Sequence, residues 1–367
     1  MATGFFWDER CFWHHGGDYA LTLPVGGFVQ PGAGGLPDGP ETKRRLKNLM
    51  SVSGIDGELA LRGAPEATRE ELLRVHPVSY LDAFKEMSDA GGGELGLRTP
   101  FGQGGYEVAA LSAGLAVEAV RAVSSGELDN AYSLSRPPGH HCLPDWANGF
   151  CLMANIAIAV EAALADKRVE RVAVLDWDVH HGNGTEACFW ERSEVLTVSI
   201  HQARNYPLDT GGAEARGAGA GEGANLNIPL PPGVGHAGYM AAMERLALPA
   251  IRAHRPDLIV VACGYDAGAM DPLGRMLCTA DSFGEMTAAV KALAGEICGG
   301  RLVMVHEGGY SEAHVPFCGH RVLEALSGTS IHVPDPLKAT LEARQPGPKF
   351  GAFVEGLLAE QAEAAGL

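Results

Sequence analysis

Two aspartates, two adjacent histidines and two glycines crowd into VAVLDWDVHHGNGT, residues 172–185, straight after an apolar run. In an extended chain Asp176, Asp178 and His180 alternate, so their side chains share a face. Two hard carboxylates and an imidazole suit a divalent cation, and Asp266, in GYDAG at the end of another apolar run, completes the set. Three protein ligands leave a position for water and substrate, the pattern of a catalytic rather than a structural site. The O,O,N donor set fits zinc, and iron, cobalt or manganese also match it. Strand-end capping would account for Asp176 alone. It does not account for the whole string, because clustered buried Asp and His need strong compensation.

Two further groups carry reactive side chains. In PPGHH (137–141) a fixed Pro-Pro-Gly turn precedes His140 and His141, which are expected to project on different sides. Alone, such a pair serves surface chemistry as readily as catalysis. Gly149 and Phe150 follow closely and could lay a ring beside the site, although Phe150 would equally suit a core. In EGGY (307–310) two glycines allow a tight turn that can aim the Tyr310 phenol at a bound carbonyl. On its own it reads as a packed tyrosine at a helix start.

These groups need a scaffold that gathers strand ends. NAYSLS (130–135), VAVLD (172–176), VLTVSI (195–200), LIVVACG (258–264) and RLVMV (301–305) read as strands. Helical spacing runs through 105–126, 150–166, 236–255 and 282–297. Near-continuous apolar strands separated by helices predict a single doubly wound α/β domain, a mostly parallel sheet with helices on both faces. Ligands in such sheets bind outside the carboxyl ends of the strands, where all four polar clusters fall. One domain spanning 1–367 is the economical reading, with a Gly/Pro-rich irregular segment near 21–40. That segment is either a flexible lead-in or an ordered loop over part of the site.

The formal net charge of −17 argues against a nucleic-acid partner and is compatible with cationic ligands. Eight scattered cysteines without a CxxC pair read as small buried thiols in a reducing compartment. The start lacks a secretory pattern and no run approaches a membrane span, so a cytoplasmic protein is expected.

RPPGHH, GFC, DWDVHHGNGT, GYDAGAMDPLG and EGGY, in that order, resemble the zinc-dependent histone deacetylase family, especially class II enzymes and the bacterial histone deacetylase-like amidohydrolases. The resemblance runs from about residue 4, where GFFWDERCFWHH also looks class II-like, to about residue 335. It implies an arginase/deacetylase-type fold and hydrolysis of N-acetyl-lysine-type amides by a metal-activated water. Asp178, His180 and Asp266 would be the metal ligands. His141 would be the main general base and acid, with His140 as electrostatic partner. Asp176 would hydrogen-bond His140, and Asn183 would face His141. Tyr310 would polarise the carbonyl, and a tyrosine there implies an active enzyme. Gly149, Phe150 and Tyr206 would wall the acyl tunnel, Tyr206 standing where the family usually has Phe. The resemblance also implies structural potassium sites. Asp176, Asp178, His180, Ser199 and Ile200 match the inner one, and Phe189, Arg192 and Val195 the outer one. Relatives of this family suggest a homo-oligomer.

Three functions compete. The first is a deacylase acting on acetylated lysine-like amines. The second is an acetylpolyamine amidohydrolase, favoured only by the acidic total charge. Polyamine-preferring relatives carry a Glu gatekeeper within DPxG, where this chain has Leu273. The third is a non-catalytic acyl-lysine or metal-binding module, which would need a lost ligand or a lost tyrosine. An arginase-type ureohydrolase shares the fold but would show a two-metal carboxylate set.

Overall fold

A computed structural model of the chain describes residues 2–30, 32 and 35–367. Eight strands form one sheet: β1 (Thr3–Phe6), β2 (Ala60–Arg62), β3 (Asn130–Ser133), β4 (Val172–Asp176), β5 (Val195–Gln202), β6 (Asn225–Leu230), β7 (Leu258–Cys263) and β8 (Leu302–His306). Their order is β6-β5-β4-β7-β8-β3-β1-β2, and every neighbouring pair is parallel. Side chains that alternate along a strand enter different cores. Ala173 and Leu175 pack with Leu46, Tyr239, Phe283 and Val322 on one face. Val172 and Val174 pack with Val117, Ile156 and Val160 on the other. Burial on both faces is why the central strands β4, β7 and β8 are mostly Val, Leu and Ile.

The register aligns the carboxyl ends. Asp176 sits opposite Ser199 on β5 and Ala262 on β7. Cys263 lies opposite His306, and Val305 opposite Ser133. The loops after β3, β4, β7 and β8 therefore leave the same edge.

Several expected boundaries shift, each for a local reason. The extended run does not continue past Asp176. Its Oδ1 accepts the Asp178 N–H at 2.9 Å and turns the chain, so Asp178 and His180 lie on a loop rather than on one strand face. The helix expected from residue 150 starts at Asn155. Gly149 (φ 52°) and Phe150 (φ 70°) are left-handed and cannot enter a right-handed helix. The helix expected over 236–255 is His236–Ala242 and Leu248–His254 joined by a π-helical turn, Met243–Ala247. Pro249 removes one amide donor just there, which the wider turn accommodates. Strands β1, β2 and β6 were not expected. The first two are short, and Pro229 argues against β6 until its place at the sheet edge is seen.

The described part of the Gly/Pro-rich segment forms a small hairpin, Tyr19–Ala20 with Leu23–Pro24. Tyr19 and Leu36 pack on Phe150, with Leu273 and Tyr310 alongside, so this stretch covers the carboxyl edge of the sheet. Pro31, Ala33 and Gly34 lie outside the described residues. All eight cysteines are free; Cys188 is half-buried and the others are buried. No helix of the described residues is long and apolar enough to cross a membrane.

Candidate active site

The turn that ends β4 and the loop after β7 bring Asp178, His180 and Asp266 together, with their ligand atoms all within 4.8 Å of one another. All three are buried. His180 Nδ1 lies 3.1 Å from Asp178 Oδ1 and 3.0 Å from Asp266 Oδ2. Backbone amides hold the outward carboxylate oxygens. Asp266 Oδ1 accepts the Val179 N–H at 2.7 Å, and Asp178 Oδ2 accepts the Gly308 N–H at 2.8 Å. Asp266 Oδ2 has no hydrogen-bond partner although it is fully buried. A buried, unpartnered carboxylate oxygen aimed at an imidazole nitrogen and a second carboxylate is the arrangement a divalent cation completes.

Protonation supports that fit. Burial, with the Asp178 charge beside it, pushes the Asp266 carboxyl up to about 8. Burial opposes a charged His180, but Asp266 and Asp178 together raise it to about 10. Without a cation these groups hold protons that their charges draw in, and a cation would displace them.

Glycine makes the closeness of this cluster feasible. A Cβ built on Gly308 would stand 2.6 Å from Asp178 Oδ2 and 2.9 Å from the Tyr310 hydroxyl, and closer still to Asp266 Oδ2. The same geometry places the Tyr310 hydroxyl close to the Asp178 and Asp266 carboxylates. Burial, followed by the charges of Asp266 and Asp178, raises the Tyr310 phenol well above its ordinary value and so keeps it a donor.

His140 and His141 stand beside the cluster, their ring centroids 4.0 Å apart and tilted, rather than projecting on different sides. Their partners differ. His140 Nδ1–H donates to Asp176 Oδ2 at 2.9 Å, whereas His141 Nδ1–H donates to the neutral Asn183 Oδ1 at 2.8 Å. The pair consequently separates. Burial opposes charge on His140, but Asp178 and Asp176 raise its pKa well above the ordinary histidine value. Burial, His140 and His180 depress His141 well below it. The surroundings thus favour the imidazolium at His140 and the neutral ring at His141.

A cavity of about 140 Å³ leads to these groups. It is lined by Thr22, Arg98, His141, Gly149, Phe150, His180, Asn205, Tyr206, Leu273 and Tyr310, so the three expected wall residues and Leu273, at the gatekeeper position, all face it. A Cβ on Gly149 would fall 2.5 Å from the His141 ring and 2.9 Å from the Tyr206 ring, so that wall admits only glycine. The Phe150 and Tyr310 rings meet edge to face at 5.7 Å. The Tyr206 hydroxyl donates to Asn148 Oδ1, which answers the extra polarity of a tyrosine at this wall.

Of the residues expected to hold monovalent cations, Asp176, Asp178 and His180 form the turn just described. Ser199 lies opposite Asp176 in register, and Ile200 follows it. The Phe189 carbonyl accepts the Arg192 N–H at 3.0 Å, while the Arg192 guanidinium is engaged by Glu161 and Glu194. Val195 opens β5.

Other residues of the site escaped the reading of the sequence. Glu307 Oε2 accepts the Gly139 N–H at 2.7 Å and the His140 N–H at 3.1 Å, fixing the turn that carries both histidines. Asp271 Oδ2 accepts the Tyr310 N–H at 2.7 Å, and its Oδ1 accepts the Leu273 N–H at 2.8 Å, tying the phenol's backbone to the tunnel wall. Both acids sat inside quoted motifs, EGGY and DPLG, and a buried carboxylate in a Gly-rich loop was the available signal. Arg98 and Asn205 had no such signal.

The chain is similar to known proteins over most of its length. A family profile described as "Histone deacetylase domain" matches residues 39–326. The chain is 59% identical over 366 residues to a histone deacetylase-like amidohydrolase of Pseudomonas aeruginosa, covering 100% of this chain and 96% of that one. It is 38% identical over 301 residues to a probable deacetylase of Archaeoglobus fulgidus, covering 80% and 83%. The crystal structure of the HDA15 HD domain superposes with a TM-score of 0.81 at 30% identity, covering 99% of each chain.

Proposed function

Since the chain belongs to the histone deacetylase family, we propose that it hydrolyses N-acetyl-lysine-type amides with one zinc ion held by Asp178, His180 and Asp266. It is an enzyme of the deacetylase and amidohydrolase kind. The observation that supports this reading is the buried O,O,N cluster with its unpartnered Asp266 oxygen, next to a narrow cavity lined by His141, His180 and Tyr310.

When bound, a divalent cation there polarises the acyl carbonyl and brings the pKa of a water towards 7. The chain's own groups do the rest. His141 Nε2 takes a proton from the attacking water, and Asn183 holds the ring in the tautomer that leaves Nε2 free. His140, kept cationic by Asp176, adds positive charge beside the reacting centre. The Tyr310 hydroxyl donates to the carbonyl oxygen as negative charge builds on it. His141, protonated by the first step, returns its proton to the leaving amine. Gly149, Phe150 and Tyr206 exclude water along the acyl-amine stem.

A potassium ion at the inner set, Asp176, Asp178, His180, Ser199 and Ile200, belongs to the same reading, supported by the Asp176–Ser199 pairing across β4 and β5. The outer set, Phe189, Arg192 and Val195, is kept as a second potassium position.

Replacing Tyr310 by Phe tests the oxyanion role. Turnover of a trifluoroacetyl-lysine fluorogenic amide should fall about 10²–10³-fold, the effect of one lost oxyanion donor. Zinc content should stay at the wild-type level. Full activity in that variant rules the role out.

A further inference from the structure

We propose that Arg98 is a specificity-determining residue that selects acyl-amines carrying a carboxylate at the far end of the amine stem and rejects those ending in an ammonium. The proposal rests on the deacylase reading and extends it to the charge of the substrate outside the tunnel.

Four observations place Arg98 in this role. It lines the same cavity as His141, His180 and Tyr310, and among the described lining residues there is no Asp or Glu. Its guanidinium lies over the Tyr206 ring, Cζ 5.4 Å from the centroid, and that ring is 5.1 Å from the His141 ring. The cation is therefore one ring away from the chemistry, and Arg98 is half-buried where His141 is buried. Its backbone is held rigidly: φ is 59°, in the left-handed region, and its carbonyl accepts the Phe150 N–H at 3.0 Å. A non-Gly residue kept there indicates that the surroundings over-determine its position. Among the described residues its guanidinium has no carboxylate ion-pair partner. The acid in the same turn, Glu94, gives its Oε1 to the Tyr19 hydroxyl at 2.7 Å and the Thr99 N–H at 3.0 Å.

A stacked guanidinium with no carboxylate ion-pair partner, on the wall of this cavity, is a receptor for a carboxylate. An acyl-lysine with its amide at the cation site carries its α-carbon, and any carboxylate on it or beside it, out to this rim. A polyamine brings a distal ammonium to the same place and finds Arg98 and the apolar Leu273. The net charge of −17 draws polycations to the protein as a whole. That attraction is screened over roughly 8 Å at physiological salt, so at the rim the local guanidinium decides.

The test compares three substrates of the zinc-loaded protein: Nα-blocked Nε-acetyl-lysine with a free α-carboxylate, its α-carboxamide, and N-acetylcadaverine, the same stem ending in an ammonium. Wild type should prefer them in that order, with about tenfold in kcat/KM between neighbours, the scale of one half-buried charge contact. The difference should lie in KM rather than kcat, because Arg98 does not touch the reacting bond. Arg98→Glu, another linear non-Gly side chain, should reverse the order, and Arg98→Lys should keep it. A preference order that Arg98→Glu leaves in place, or a wild type that favours N-acetylcadaverine, overturns the assignment. Failure to cleave any of the three overturns the deacylase reading, and this one with it.

Discussion

Gly308→Ala isolates the closest packing in the site. Gly308 is not in the left-handed region, so alanine meets no backbone penalty there and only the added methyl acts. That methyl would sit 2.6 Å from Asp178 Oδ2 and 2.9 Å from the Tyr310 hydroxyl, and nearer to Asp266 Oδ2. Ordinary carbon–oxygen contact needs about 3.4 Å or more, so the carboxylates must retreat by roughly 1 Å, well beyond the ~0.2 Å tolerance of metal–ligand distances. The expected cost to the fold is about 1–3 kcal/mol from overpacking. The expected cost to the cation is larger, a loss of at least about 100-fold in affinity, since two of three ligands move and even an outer partner is worth 10–100-fold. A chelator-competition titration gives the zinc Kd, and the fluorogenic amide assay at saturating zinc separates weak binding from lost chemistry. Tyr310→Phe serves as the contrast: it should lose activity while keeping zinc. A Gly308→Ala protein with wild-type zinc affinity refutes the geometry from which this magnitude was worked.

The remaining predictions concern protons. Asp266, pushed up to about 8, and His180, raised to about 10, hold protons at pH 7 in the apo protein. Zinc binding should therefore release at least one proton, and affinity should rise with pH between 6 and 8; calorimetry in buffers of different ionisation enthalpy counts them, and zero release is the contrary result. Asn183→Asp puts a negative charge 2.8 Å from His141 Nδ1, which favours the imidazolium. The acid limb of the kcat/KM profile should move up by about 1–2 units, because the base must be neutral to work, and an unmoved limb would deny His141 that role. Away from the site, burial opposes charge on Glu324, but His320, His332, the Val333 N–H and Arg321 bring it down to about 2. A depressed carboxyl pKa gives stability that is present above about pH 4.5 and lost as pH falls towards 2. Glu324→Gln should thus lower stability at pH 7 by about 1–2 kcal/mol, discounted for solvent screening, and the gap in Tm should close in acid.

Much of this site was legible because metal chemistry uses few residue types in short strings. Asp178, His180 and Asp266 stand out in the sequence by their company. Strand alternation predicts a shared face for Asp178 and His180, whereas Asp176 ends the strand by capping the Asp178 amide and the loop brings them together. The sheet was legible where strands are buried on both faces, as in VAVLD and LIVVAC. It was illegible at the edges, where β1 and β2 are too short for a pattern and β6 contains Pro229. The acids Asp271 and Glu307 stand in Gly-rich motifs, but their distant hydrogen-bond partners leave no local trace. The links from Asp271 to Tyr310 and from Glu307 to Gly139 join residues 39 and 168 positions apart. Arg98 is invisible for a related reason: nothing in GLRTP announces that its backbone is pinned to Phe150.

Adjacent histidines share burial, charge environment and chain position, so some further difference must assign their roles. Here that difference is one atom in each partner: a carboxylate oxygen from Asp176 for His140, an amide oxygen from Asn183 for His141. The carboxylate commits the first ring to the cation. Burial, with that cation 4.0 Å away and His180 beyond it, favours the neutral form of the second ring. The neutral ring is thus made by burying it and by charging its neighbours. It follows that removing the Asp176 charge would be felt at His141, a residue Asp176 does not touch, and that the two histidines cannot be exchanged by exchanging their positions alone.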